Sequence, residues 1–120
     1  MKVAAIQMVS TPRLQANLDS ARALLQEAAQ AGAELAVLPE YFCLLGQRDS
    51  DKLAIQEPFG DGAIQRFLAE AARELGLWVV GGTLPVSEAS GAAIQPGEAG
   101  RVYNSTLVYC DESAEARALP

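Results

Sequence analysis

Leu38-Pro39-Glu40-Tyr41-Phe42 sets one ionisable group among apolar neighbours. A carboxylate flanked by Leu38, Tyr41 and Phe42 is expected to lose solvation, and desolvation raises a carboxyl pKa toward the range useful for taking and returning a proton. Glu40 is therefore the candidate general base. Two other readings stand beside it: a solvated loop carboxylate, or one half of an ion pair with a nearby cation such as Arg48. The 120 residues contain no histidine, so a Ser-His-Asp triad, a Cys-His pair and a histidine-ligated zinc site are all excluded within them. Any chemistry rests on carboxylate, lysine or thiol. The lysines are Lys2 and Lys52, and the cysteines are Cys43 and Cys110.

Cys43 lies three residues after Glu40, but in an extended or loop segment that spacing does not aim both side chains at one point. It reads as a buried thiol filling space, and Cys110, late in an apolar run, reads the same way. Two cysteines form no framework of bridges, and free thiols are expected. Gly81-Gly82-Thr83 follows a strand as phosphate loops do, yet no Lys-Ser/Thr pair follows, so a tight strand exit is the better reading. Trp78 reads as core. Asn104 and Ser105 could order a loop near Glu40 or simply make a turn. No metal or organic cofactor is implied.

The elements that must position these residues follow from periodicity. Val3 to Met8, Leu35 to Leu38 and Leu77 to Val80 are short runs apolar on both faces, the pattern of strands covered on both sides. Between the first two, Leu14, Leu18, Ala21, Leu25 and Ala28 recur at helical spacing, with Gly32 as the stop. Between the second and third, Ile64, Phe67, Leu68, Ala71 and Leu75 predict another helix, capped by Asp61 and ended by Gly76. Val102 to Cys110 makes a fourth strand after a loop from Thr83 to Gly100. The order strand-helix-strand-helix-strand-strand predicts an α/β fold with a parallel sheet. Glu40 then falls just beyond the carboxyl end of the second strand, where such sheets present their ligand crevices. Right-handed crossovers put both helices on one face, leaving the second apolar face to be covered by something else. The loop from Tyr41 to Phe59 is expected to border the site.

The formal net charge of −6, with nine dispersed Lys and Arg, argues against nucleic-acid and acidic-membrane partners. No apolar stretch approaches the roughly 20 residues that span a bilayer. The start reads as no secretory signal, so a cytoplasmic location is expected.

Several segments in order carry a resemblance: Val3-Ala4-Ala5-Ile6-Gln7-Met8, Asn17 before a long helix, Ala31-Gly32-Ala33-Glu34-Leu35 and Val37-Leu38-Pro39-Glu40. Asp51-Lys52-Leu53-Ala54, Gly60-Asp61-Gly62 with Ile64-Gln65, Gly81-Gly82-Thr83-Leu84-Pro85 and Asn104-Ser105 follow. Each motif is weak alone, but the ordered set, covering nearly the whole chain, resembles the nitrilase or carbon-nitrogen hydrolase family, in its amidase branch. The resemblance implies half of an α-β-β-α four-layer sandwich, whose second sheet would cover the bare apolar face. It also implies a Glu-Lys-Cys triad acting on a small linear amide, with Glu40 matching the glutamate that takes the thiol proton.

The departures are equally specific. The family's lysine follows the strand and turn matching Val102 to Ser113, but this sequence ends Arg117-Ala118-Leu119-Pro120 without it. The family's cysteine, at a later strand-to-helix elbow, has no counterpart. Neither Lys2 nor Lys52 stands in the matching motif. Residues 1–120 are thus expected to be the amino-terminal part of one hydrolase domain, inactive alone, that meets a complementary half or forms a homo-oligomer through the bare sheet face. The alternative is a non-catalytic assembly module. An unrelated nucleotide-binding domain would need a phosphate-loop signature that is missing.

Overall fold

The structure, a computed structural model, describes residues 1–48, 51–87 and 103–110. Five strands form one sheet: β1 (Val3–Ala5), β2 (Leu35–Val37), β3 (Glu57–Pro58), β4 (Trp78–Ser87) and β5 (Tyr103–Tyr109), with helices α1 (Leu14–Gln30), α2 (Asp51–Ala54) and α3 (Ala63–Leu75) between them. β1, β2 and β4 are parallel neighbours, β3 runs parallel to the far end of β4, and β5 lies antiparallel to β4. The expected parallel core is present, with an antiparallel strand added.

α1 and α3 form where the apolar spacing places them. Leu18, Ala21, Leu25 and Ala28 of α1 are buried, as are Ile64, Leu68, Ala71 and Ala72 of α3. Both pack on the same side of the sheet, joined at the surface by an Arg22–Glu74 ion pair. Gly32 and Gly76 end the two helices with positive φ of 88° and 64°, a conformation cheap for glycine alone. Lys2 reinforces the first stop, its Nζ donating to the Ala31 carbonyl at 2.8 Å.

The expected cap of α3 is corrected. Asp61 faces outward and pairs with Arg66, whereas the first free amides of α3 are taken by Glu57. Its carboxylate accepts from Ile64 N–H at 2.6 Å and Gln65 N–H at 3.1 Å, and it is 7% exposed. An anion at a helix amino terminus meets both unsatisfied donors and the positive end of the helix dipole. Gly62 stands so close that a Cβ there would lie 2.1 Å from the Glu57 carboxyl carbon.

Three boundaries also differ from expectation. β1 stops at Ala5, although Ile6 N–H still donates to the Val37 carbonyl at 2.9 Å. The segment from Tyr41 to Phe59 contains α2 and β3 as well as loop. β4 runs on through Gly81-Gly82-Thr83-Leu84-Pro85 to Ser87, so residues 83–87 are strand; the rest of the expected loop lies outside the described residues. Pairing with β5 overrides local breakers, and a register irregularity between Gly81 and Leu84 absorbs the glycines.

The pleat sorts the sheet into two surfaces. Ala36, Val79, Leu84 and Val86 join the core under the helices. On the opposite pleat two rows cross the strands in register, Val3–Leu35–Trp78 and Ala5–Val37–Val80–Val108. Both rows are apolar throughout, and their ends are open: Val3 is 52% exposed and Val108 57%. Trp78, expected in the core, is half-buried on this second surface.

Candidate active site

Glu40 is carried on a turn at the carboxyl end of β2. Leu38 N–H still reaches the Val80 carbonyl at 2.9 Å, and the chain then reverses, with Phe42 N–H donating to the Pro39 carbonyl at 3.2 Å. Leu38, Phe42 and Cys43 are buried, at 2%, 0% and 2% exposure. They hold both ends of the turn in the core, while Glu40 and Tyr41 at its crest are exposed.

Two sets of contacts fix this turn. From β4, the Thr83 hydroxyl accepts the Tyr41 N–H at 3.3 Å, and Gly82 lies flat against the Pro39 carbonyl. From the segment before α1, the Ser10 hydroxyl donates to the Phe42 carbonyl at 3.0 Å, and Leu45 N–H donates to the Thr11 carbonyl at 3.1 Å. Between them sits Asn17, 1% exposed. Its Oδ1 accepts from Thr11 N–H at 2.8 Å and the Thr11 hydroxyl at 3.0 Å, and its Nδ2 donates to the carbonyls of Thr11 at 2.7 Å and Cys43 at 2.8 Å. Every hydrogen-bonding position of the amide is used.

The surroundings of Glu40 differ from the sequence reading in one respect. Of its apolar flanks, Leu38 and Phe42 turn into the core, so they do not cover the carboxylate, which is exposed. Among the described residues it forms no ion pair; the backbone N–H of Arg48 instead donates to Asp51 at 3.0 Å. What the turn provides is a carboxylate on a rigid crest beside the ends of parallel strands, free to accept a proton from a group brought to it. Glu40 lines neither of two shallow grooves, one between α3 and β5 and one between α1 and α3.

The other candidates separate from Glu40. The Cys43 thiol is pushed up to about 11, chiefly by burial, with the negative charge of Glu57 adding to it. A thiol held protonated at neutral pH is a poor nucleophile, in keeping with the packing role read from sequence. Cys110 is corrected: it is exposed. At pH 8, Ellman's reagent is therefore expected to titrate one thiol in the native chain and two after denaturation, with Cys110→Ser removing the native signal. Rapid modification of Cys43 in the folded state would contradict this. Because the folded pKa lies above the ordinary value, folding retains a proton that the unfolded chain releases. This contribution to stability is whole below pH 9 and fades as the pH rises through about 11.

Lys2 is engaged at the end of α1, and Lys52 lies on α2. Asn104 and Ser105 lie inside β5, opposite Pro85 and Leu84, and make no turn. Gly81-Gly82-Thr83 is strand interior rather than a strand exit. Sequence reasoning missed Glu57 and its partner Gln65, whose Nε2 donates to the Pro58 carbonyl at 2.8 Å and whose Oε1 accepts from Gly60 N–H at 2.8 Å. The signal was an acid followed by Pro58 and Gly60 shortly before a helix whose first turn holds no acid. Among the described residues no cluster of Cys, Asp and Glu is arranged to hold a metal ion, and no helix is long and apolar enough to cross a membrane.

Several known proteins are similar to this chain. Deaminated glutathione amidase of Synechocystis sp. is 34% identical over 112 residues, 93% of this chain and 38% of that protein. The mouse (Mus musculus) protein of the same description is 38% identical over 77 residues, 64% of this chain and 24% of its own length. An omega-amidase of Xenopus laevis is 28% identical over 109 residues, 90% of the chain and 35% of that protein. The chain thus spans between about a quarter and two-fifths of these relatives. Among solved structures, Nit3 of Saccharomyces cerevisiae, described as a member of branch 10 of the nitrilase superfamily, superposes with a TM-score of 0.73 at 24% identity, over 93% of this chain and 40% of that one. The NitFhit protein of C. elegans gives 0.65 at 23% identity, over 88% and 24%. One sheet with helices on one side is the part of the nitrilase-like sandwich that these residues build. The Carbon-nitrogen hydrolase family matches residues 2–115, and the chain belongs to that family.

Proposed function

We propose that this chain supplies the general base, Glu40, of an active site that hydrolyses the carbon-nitrogen bond of a small linear amide. The observation that carries the proposal is the fastened turn after β2, which offers an exposed, unpaired carboxylate in a chain of this hydrolase family. In the complete site Glu40 takes the proton of a cysteine thiol, and the sulfur attacks the amide carbon while a lysine stabilises the tetrahedral oxyanion. The nitrogen leaves as ammonia with the proton returned by Glu40, and water activated by the same carboxylate hydrolyses the thioester. The lysine and the nucleophilic cysteine are not among residues 1–120, and neither Cys43 nor Lys2 replaces them. Residues 1–120 are then the amino-terminal part of one hydrolase domain and turn nothing over alone. The amidase activities of the relatives favour a substrate whose amide ends a short acidic molecule, such as the monoamide of a dicarboxylic acid.

The apolar rows on the second sheet surface support a partner layer there: the second sheet of the sandwich, a complementary half, or another copy of the chain. They also favour the second reading, in which these residues act only in assembly.

Ammonia release separates the two. The chain alone is expected to release none from such a monoamide. Joined to the carboxyl-terminal part of the Synechocystis relative, carrying the family's lysine and cysteine motifs, it is expected to become active, and Glu40→Gln to cut that activity by about a thousandfold. Full activity of the joined Glu40→Gln protein would overturn the assignment of the base. Turnover by the chain alone that survives Cys43→Ala but is lost in Glu40→Gln would overturn its dependence on a second part. The intact mass of the native polypeptide, against 12.6 kDa for these residues, shows whether that second part is covalent.

A further inference from the structure

Tyr41 has φ of +58°, the one positive value outside glycine among the described residues. A bulky aromatic residue pays a steric penalty in this region and stays there only when its surroundings require it. Its place explains the requirement. The turn from Pro39 to Phe42 is closed by the Phe42 N–H to Pro39 carbonyl bond, with Glu40 and Tyr41 as its central residues. A left-handed third residue is the type II pattern, for which glycine or asparagine is the ordinary choice. With tyrosine there, the local sequence prefers type I, which differs chiefly by a flip of the peptide between Glu40 and Tyr41. Local preference and observed conformation disagree.

We propose that Thr83 is the positioning residue that decides this flip and so sets what stands beside Glu40 at the crest; the consequence for Glu40 rests on the assignment of that residue as the base. The Thr83 hydroxyl accepts the N–H of Tyr41 at 3.3 Å, and that N–H belongs to the peptide whose orientation distinguishes the two turns. In the type I form it swings away and the bond is lost. The same residue reaches the far end of the segment: its carbonyl accepts from the Cys43 thiol at 4.0 Å. Gly82 beside it lets the Pro39 carbonyl approach so closely that a Cβ would stand 2.0 Å from the oxygen. β4 is held in place by pairing with β2, β3 and β5, so the hydroxyl is presented from a rigid support. The flip leaves the Glu40 Cα–Cβ bond in place, because φ of the second turn residue is the same in both types, but it turns the Glu40 carbonyl over and re-aims the Tyr41 side chain at the crest beside the base.

The test uses the 120-residue chain, isotope-labelled, with Thr83→Val and Thr83→Ser. Valine keeps the branched shape but removes the acceptor; serine keeps the acceptor. The proximity of the Glu40 α-proton to the Tyr41 amide proton reports the flip directly, giving a strong nuclear Overhauser effect in a type II turn and a weak one in type I. The native chain and Thr83→Ser are expected to show the strong effect. Thr83→Val is expected to show the weak one, with Tyr41 amide exchange accelerated roughly tenfold or more by loss of the bond. An unchanged effect and exchange rate in Thr83→Val, or the same loss in Thr83→Ser, overturns the proposal. None of these readouts depends on catalysis. In the joined protein described above, Thr83→Val is expected to lower kcat roughly tenfold or more with KM nearly unchanged, as for a catalytic group whose immediate surroundings are rearranged. A flipped turn with undiminished kcat would overturn the link to Glu40, whereas activity in Glu40→Gln would overturn the base itself.

Discussion

Gly82→Ala is expected to be strongly disruptive, destabilising the chain by roughly 3 kcal/mol and lowering the unfolding midpoint by roughly 12 °C in a domain of this size. The added Cβ would stand 2.0 Å from the Pro39 carbonyl oxygen and 3.0 Å from that of Leu38. Both atoms are backbone, so no rotamer change relieves the overlap. Either β4 moves away from β2, breaking their register pairing, or the Glu40 turn moves away from β4. Gly60 is the control: a Cβ there meets nothing within 4 Å, but φ is +89°, so Gly60→Ala should cost only the conformational penalty, about 1 kcal/mol. Gly81 is intermediate in kind, since its Cβ would press on the Leu68 side chain at 2.5 Å. Thermal unfolding of the two variants checks the ranking. Equal midpoints for Gly82→Ala and Gly60→Ala would mean that the approach of β4 to the turn is looser than described.

Asn17→Leu is expected to cost about 3 kcal/mol, because it removes hydrogen bonds to buried and part-buried backbone groups on two segments at once. Leucine matches the amide in size but supplies neither donor nor acceptor. The Thr11 N–H and the carbonyls of Thr11 and Cys43 would then lose the partners they have at 2.7 to 2.8 Å. These groups lace the segment before α1 to the chain returning from the Glu40 turn, so the loss should be felt locally as well as globally. Amides from Phe42 to Leu45 are expected to exchange faster before the rest of the sheet does. Asn17→Asp sharpens the test. It keeps the acceptor but sets a carboxylate oxygen against two carbonyls, and should be more destabilising at neutral pH than at pH 3, where the acid can donate. Gln15→Ala, which removes an exposed side-chain bond to Asp19, should change stability by a few tenths of a kcal/mol. Denaturant unfolding that finds Asn17→Leu as mild as Gln15→Ala would show that the amide is not a structural tie.

Much of the fold was legible because its causes are local. The apolar spacing of Leu18, Ala21 and Leu25, and of Ile64, Leu68 and Ala71, forces helices with one buried side, and glycine at 32 and 76 ends them by its freedom at positive φ. The two-faced apolar runs marked the strands. Their placement between helices put Glu40 at the carboxyl end of β2. What was misread depends on partners far away in sequence. β4 continues past two glycines and a proline because β5 pairs with it, and neither propensity nor spacing carries that information. Asp61 was the obvious cap by type and position, yet Glu57 takes that place because the docking of β3 on β4 brings its carboxylate to the end of α3.

By itself the sequence determined the order of elements, the two helix faces, the site of the candidate base, and the lack of a histidine among residues 1–120. Residue type and spacing suffice for these, since each depends on neighbours within a few turns of chain. Only the tertiary structure decided that Glu40 stands in solvent while Leu38 and Phe42 turn inward. Cys43 likewise sits deep enough to keep its proton because of elements packed around it, and Cys110 lies open. Burial and electrostatic environment are set by which distant segments converge on a group. For the Glu40 turn those are Ser10, Thr11 and Asn17 on one side and Gly82 and Thr83 on the other.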